Sequence, residues 1–100
     1  MENLPRIIWS PKARTQLRNI KAFIAESSPK NAMIVVKAIV EKVELIPRNP
    51  ERFPMDRFKI DNAGNFRAFE THSYRVAYKH SDTEVRILRV RHVHQEPLEY

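Results

Sequence analysis

The chain has 100 residues, a formal net charge of +6 and no cysteine. That length suits one domain with a modest core, and the missing cysteine excludes disulfide staples and thiolate metal sites. A pI near 10.0 points toward an anionic partner such as nucleic acid, a ribosome or an acidic protein, although charge also serves solubility.

Met1-Glu2-Asn3-Leu4-Pro5 lacks the basic segment and apolar run of a signal peptide. No apolar stretch approaches membrane-spanning length. The expectation is therefore a soluble, cytoplasmic product, with residues 1–100 forming a single domain.

Arg6-Ile7-Ile8-Trp9 reads as a short strand, with Trp9 anchoring it in the core. Ser10-Pro11 then supplies a capping hydroxyl and a proline suited to the first helical position. A helix is predicted from Pro11 to about Glu26, with Ala13, Leu17, Ile20 and Ile24 as its buried stripe and Phe23 widening it. Ser27-Ser28-Pro29 repeats the device and starts a second helix, to about Leu45. Its buried face should carry Ala32, Val36, Ile39, Val43 and Ile46, with Met33, Val35 and Val40 beside it. So short a connection implies an antiparallel helical hairpin.

Pro47, Pro50 and Pro54 break the periodicity. The stretch to about Asn65 reads as an irregular loop, with a short strand around Phe58-Lys59-Ile60 and a turn at Asn62-Ala63-Gly64-Asn65. Three strands follow, at about Phe66–Thr71, Tyr74–His80 and Glu84–Val93. His72-Ser73 and Ser81-Asp82-Thr83 are short enough to close hairpins, and Pro97 and Tyr100 belong to a short tail. The predicted order is β-α-α-β-β-β. This is an α+β fold, with the helical hairpin on one face of a small, mainly antiparallel sheet.

The last strands place arginine and histidine between apolar residues at a period of two. Strand side chains alternate between faces, and a buried arginine needs a partner. One face should therefore pack on the core while the other offers basic groups to something anionic.

Several segments together resemble the RelE/ParE superfamily of bacterial toxins, the toxic halves of type II toxin–antitoxin systems. They are Trp9-Ser10-Pro11-Lys12-Ala13 with Leu17 and Ile20, Leu45-Ile46-Pro47, Arg67, Tyr74-Arg75-Val76-Ala77-Tyr78 and Val90-Arg91-His92. The likeness covers nearly the whole chain. It implies one of two activities: ParE-like members resemble poisons of DNA gyrase, and RelE-like members resemble ribosome-dependent mRNA endonucleases. The helix-start motif, the long hairpin and the Val-Arg-His ending are more ParE-like. A non-toxic member that only binds its antitoxin is a third alternative.

On the nuclease alternative, cleavage through the 2′-hydroxyl needs a base, a cation for the phosphorane and an acid for the leaving oxygen. The resemblance assigns Arg75 to the phosphate and Arg91 to the second arginine position, with His92 or His94 for proton transfer. Lys59 and Glu70 are stand-ins for mid-chain groups outside any firm motif, which ranks the gyrase reading slightly ahead. Lys59, Arg67, Arg75, Arg89 and Arg91 are the candidate target-binding residues. In the bland counterpart, Arg75 pairs across strands with Glu70 or Glu84, Arg89 and Arg91 share one solvated strand face, His92 is a structural hydrogen-bonding residue, and Tyr74 and Tyr78 are core. His92 and His94 have no evident third ligand, so no metal and no cofactor is expected.

The resemblance also implies an antitoxin partner, acidic and encoded beside the toxin, forming a hetero-oligomer. It would land on the exposed side of the hairpin, with Met33 and Val40 as candidate contacts.

Overall fold

A computed structural model describes residues 3–95 and 99–100; Met1, Glu2 and Pro97 of the sequence reading lie outside the described residues. Strand β1 covers Arg6–Trp9, and helices α1 and α2 cover Pro11–Ser27 and Pro29–Leu45. Each helix starts at a serine–proline pair. The Ala13 N–H donates to Ser10 Oγ at 3.0 Å and the Asn31 N–H to Ser28 Oγ at 3.1 Å, satisfying amides that the first turn leaves open. A 3-10 turn at Ile46–Arg48 ends α2 at its proline. Strands β2 (Phe66–Thr71), β3 (Tyr74–His80) and β4 (Glu84–His92) follow.

The four strands form one sheet in the order β1-β4-β3-β2; β1 runs parallel to β4, and the other neighbours are antiparallel. The helical hairpin packs on one face. The α+β order is as predicted, with three local corrections. Residues 58–60 form turns, not a strand. Instead Pro54–Asp56 bonds along the β2 edge, through Ala68 N–H to Pro54 O and Asp56 N–H to Phe66 O. Phe23 does not join the buried stripe and is 69% exposed. It lies roughly 80° around the helix from Ala13, at 3.6 residues per turn, which turns it off the core. On α2 the stripe runs Ala32, Val35, Ile39 and Val43, continued by Ile46 of the 3-10 turn. Val36 is only half-buried, because Val35 lies nearer the centre of that arc.

Tyr74, Val76 and Tyr78 of β3 face the helices, with Phe69 of β2 and Val85, Ile87 and Val90 of β4. The last set changes parity between Ile87 and Val90. The register explains it: Tyr78 pairs with Ile87 while Ala77 pairs with Arg89, so Leu88 is an extra residue in β4. This β-bulge puts Val85, Ile87 and Val90 on the helix side, and Arg86, Arg89 and Arg91 on the other. Helix α1 secures the irregularity. Ser10 Oγ donates to Leu88 O at 3.1 Å, and the Val90 N–H donates to Gln16 Oε1 at 2.7 Å.

Ser10 therefore both caps α1 and holds the bulge, whereas Ser28 only caps α2. Ser10→Ala should cost about 1–2 kcal/mol, and more than Ser28→Ala. Urea unfolding of the two variants tests this, and equal midpoints would deny Ser10 its second role.

Candidate functional site

The sheet face away from the helices carries arginines in direct cross-strand register. Arg75 of β3 lies opposite Arg91 of β4, and Ala77 lies opposite Arg89. A solvated basic face was expected here, but each of Arg75, Arg89 and Arg91 is only 9% exposed. The segment after Pro54, together with Tyr100, covers them.

Asp56 is the central anion of this cover and is 2% exposed. Its Oδ1 accepts from Arg75 Nη2 at 2.9 Å and from the Phe58 N–H at 3.0 Å, and its Oδ2 accepts from the Tyr100 hydroxyl at 2.6 Å. Arg75 Nη1 donates to Glu70 Oε2 at 2.8 Å. Of the two carboxylates that the sequence proposed for Arg75, Glu70 is the partner; Glu84 pairs with Arg86 instead.

The Phe58 ring lies 4.8 Å from the Arg75 guanidinium and 5.4 Å from that of Arg91. The Tyr100 ring lies 4.2 Å from that of Arg89. Aromatic faces and a carboxylate thus let like charges sit side by side. The main chain fastens Tyr100 as well: its N–H donates to Phe58 O at 3.0 Å, and its O accepts from the Ile60 N–H at 2.6 Å.

Titration follows from this packing. Burial would raise the Asp56 carboxyl, but bonds from Tyr100, Arg75 and the Phe58 N–H outweigh it and hold it below the ordinary value. Burial, then the neighbouring Asp56, pushes the Tyr100 hydroxyl up. Burial, then Arg89 and Arg75, lowers Arg91.

The remaining candidates divide between the two faces. Lys59 stands at the covered face, its Nζ 4.7 Å from the Phe66 ring centroid and donating to Ile60 O at 2.9 Å. Arg67 lies on the opposite side of β2, in register with Tyr78. It staples the loop, donating to Gly64 O at 2.9 Å and Phe53 O at 3.0 Å. His92 also faces the helix side, 5.3 Å edge-on to Tyr74, and His94 stacks 5.0 Å from it. His92 therefore lies on the other face of the sheet from Arg75, whereas Arg91 lines one cleft with His92 and His94. On the hairpin, Met33 is 67% exposed and Val40 is half-buried. Among the described residues no group of three acidic or histidine side chains could hold a metal ion, and no helix is long and apolar enough to cross a membrane.

Sequence reading missed Asp56, Phe58 and Tyr100 as partners of the arginines, and Gln16 as a partner of β4. None stands in a periodic pattern. The one available signal was that buried arginines demand anions.

The arrangement of hairpin, sheet and basic strands is that of a known toxin family. The family model for the ParE toxin of the type II toxin–antitoxin system parDE matches residues 7–97. The chain belongs to this family. It is thus a toxin of the type II toxin–antitoxin class, within the RelE/ParE superfamily. Among solved structures it is similar to the chromosomal ParDE system of P. aeruginosa, at 19% identity and TM-score 0.69, covering 91% of this chain and 98% of that one. It is also similar to the toxin–antitoxin complex RelBE2 of Mycobacterium tuberculosis, at 23% identity and TM-score 0.59, covering 92% and 94%. The YoeB dimer of Staphylococcus aureus matches at 20% identity and TM-score 0.58, covering 88% and 95%. These structural likenesses establish the shared fold. Among curated proteins no sequence match is found.

In this ParE-family chain the covered face should show in stability. Asp56→Asn leaves Arg75 without its buried carboxylate and should cost about 3–5 kcal/mol near neutral pH. The folded carboxyl titrates below its ordinary value of 3.8. Its stabilisation is therefore full above that value and is lost as pH falls through the folded value. Denaturation of the wild type from pH 7 to pH 3 should show an acid limb that flattens in Asp56→Asn; parallel curves would remove Asp56 from that role.

Proposed function

We propose that the protein arrests growth by binding DNA gyrase and trapping its DNA-cleaved state, without catalytic groups of its own. The observation that carries this reading is the separation of the candidate chemistry. Arg75, the candidate for the phosphate, is packed under Asp56 and Phe58 and does not line the cleft that holds Arg91, His92 and His94. RNA cleavage needs a phosphate-binding cation and a proton-transfer group within hydrogen-bond reach of one substrate. A binding surface needs no such convergence. The match to the ParE family supports the same branch.

The neutralising partner is an antitoxin, as in the ParDE and RelBE2 assemblies that share the fold. The exposed hairpin offers it Phe23, Met33 and Ile34, with Val40 half-buried on the same hairpin. Exposed apolar residues of this kind suit an amphipathic or extended partner segment. An acidic segment also complements the net charge of +6.

Arg75→Ala is a poor discriminator between gyrase binding and RNA cleavage. Arg75 holds two carboxylates, and removing one partner of a buried pair threatens the fold itself. The deciding experiment uses the wild-type protein. Purified toxin is added to DNA gyrase with supercoiled plasmid, and in parallel to a reconstituted bacterial translation reaction read by primer extension. The expected result is gyrase-dependent linear DNA with intact mRNA. New ribosome-dependent mRNA 5′ ends with undamaged plasmid would replace this reading with the endonuclease, and harmless induction in a host lacking the antitoxin would replace it with a non-toxic binder.

A further inference from the structure

Like charges stand opposed across β3 and β4 at two places on the face away from the helices: Arg75 with Arg91, and Lys79 with Arg86. Such pairs destabilise a sheet unless something offsets them. The first is sealed under Asp56, with Glu70 also bonded to Arg75. The second stands open. Arg86 is bonded to Glu84 at 2.8 Å, but Lys79 is exposed and has no carboxylate partner among the described residues. The fold thus supplies an internal anion to one pair and leaves Lys79 of the other without one.

The open pair belongs to a row in register across all four strands: Ile8 of β1, Arg86 of β4, Lys79 of β3 and Phe66 of β2. At the usual spacing between strands this row spans roughly 14 Å. Lys59 lengthens it from the covering segment. Its Nζ lies 4.7 Å from the Phe66 ring centroid, against 5.4 Å for Lys79 Nζ. At the other end Arg6, exposed, stands two residues before Ile8 on the same side of β1. The acidic neighbours are Glu84, already bonded to Arg86, and the exposed Asp61 and Glu99, next in sequence to Ile60 and Tyr100. Asp82 instead lines a cleft with His80 and Pro50.

We propose that this row grips the phosphate backbone of duplex DNA. A duplex carries one negative charge for about every 1.7 Å of its axis, so a line of cations meets several phosphates at once, whereas a small anion would satisfy only part of it. An acidic protein surface fits less well. Protein interfaces are anchored by apolar or aromatic side chains at their centre, and the Phe66 ring is half-buried and bordered by both lysines. The same ring is closed to a splayed base, which disfavours single-stranded RNA. Contacts of this kind hold a duplex without reading its sequence. That the DNA is the segment held by gyrase rests on the gyrase reading; DNA binding by the row does not.

The test titrates the full-length protein into a short fluorescein-labelled duplex of arbitrary sequence, without gyrase, and reads anisotropy over a range of salt. Lys79→Glu should weaken binding about tenfold or more. Lys21→Glu, an equal change of net charge at an exposed position of α1, should weaken it only about twofold. Lys79→Ala should lower the slope of log affinity against log salt by about one, and Lys21→Ala should not. In the isotope-labelled wild type the duplex should shift the amides of Phe66, Lys79 and Arg86. Absent or salt-independent binding would overturn the proposal, as would equal losses from the Lys79 and Lys21 variants, or shifts confined to the helices. Tighter binding of single-stranded RNA or of polyglutamate would overturn it in favour of that partner. If Lys79→Glu does not fold, the salt slope of Lys79→Ala and the wild-type shifts decide. Gyrase is absent from these measurements, so their failure leaves the gyrase proposal standing, and a failed gyrase experiment leaves this one.

Discussion

One extra residue in β4 governs how the sheet is used. With strict alternation Val85, Ile87, Arg89 and Arg91 would share a face, and two guanidinium groups would enter the core beneath the helices. Leu88, bulged between the pairs Ala77–Arg89 and Tyr78–Ile87, prevents this. Both halves of the strand then send aliphatic side chains toward the hairpin, and all three central arginines gather on the opposite face. The bulge leaves backbone groups needing partners, and the first helix supplies them through Ser10 and Gln16. Helix start, strand irregularity and charge placement are thus one linked arrangement.

Gathering arginines on one face creates a second problem. Arg75 and Arg91 are directly opposed across β3 and β4, a costly juxtaposition of like charges. Exposure to water would relieve it, but the chain covers the face instead. Asp56, Phe58 and Tyr100 form a small polar-aromatic layer, which makes the three-layer order helices, sheet, loop. A buried carboxylate bonded by an arginine, a hydroxyl and a backbone amide is satisfied at nearly every lone pair. Such a layer holds the long segment between α2 and β2 in place, although that segment has little regular structure of its own. Arg67 does the same from the other side of β2 by holding loop carbonyls.

The order of elements was legible because local rules dominate there. Ser10-Pro11 and Ser28-Pro29 mark helix starts by chemistry that needs no distant partner, and Val76 and Tyr78 alternate with Arg75 and Ala77 as a strand requires. The Tyr74 and Tyr78 rings are buried, at 7% and 0% exposure, consistent with core aromatics. Features that depend on pairing were not legible. The Leu88 bulge exists only relative to Ala77 and Tyr78. Asp56 meets Arg75 across nineteen positions and Tyr100 across forty-four, and the short loop around Asp56 has no periodicity to reveal its direction. The expected strand at 58–60 failed because Phe58 and Ile60 are apolar for a different reason: Phe58 covers arginines while Ile60 is exposed.

The same geometry bears on how far fold can speak for activity. ParDE and RelBE2 structures both share this scaffold with the chain, and the scaffold by itself does not choose an activity. In this chain the arginine side is closed by the chain's own aromatic and acidic residues. The accessible features are the basic helix α1, the exposed Phe23 and the unfinished edge of β4. Beside them Arg91 lines one cleft with His92 and His94, while its guanidinium lies 5.4 Å from the Phe58 ring of the covering segment.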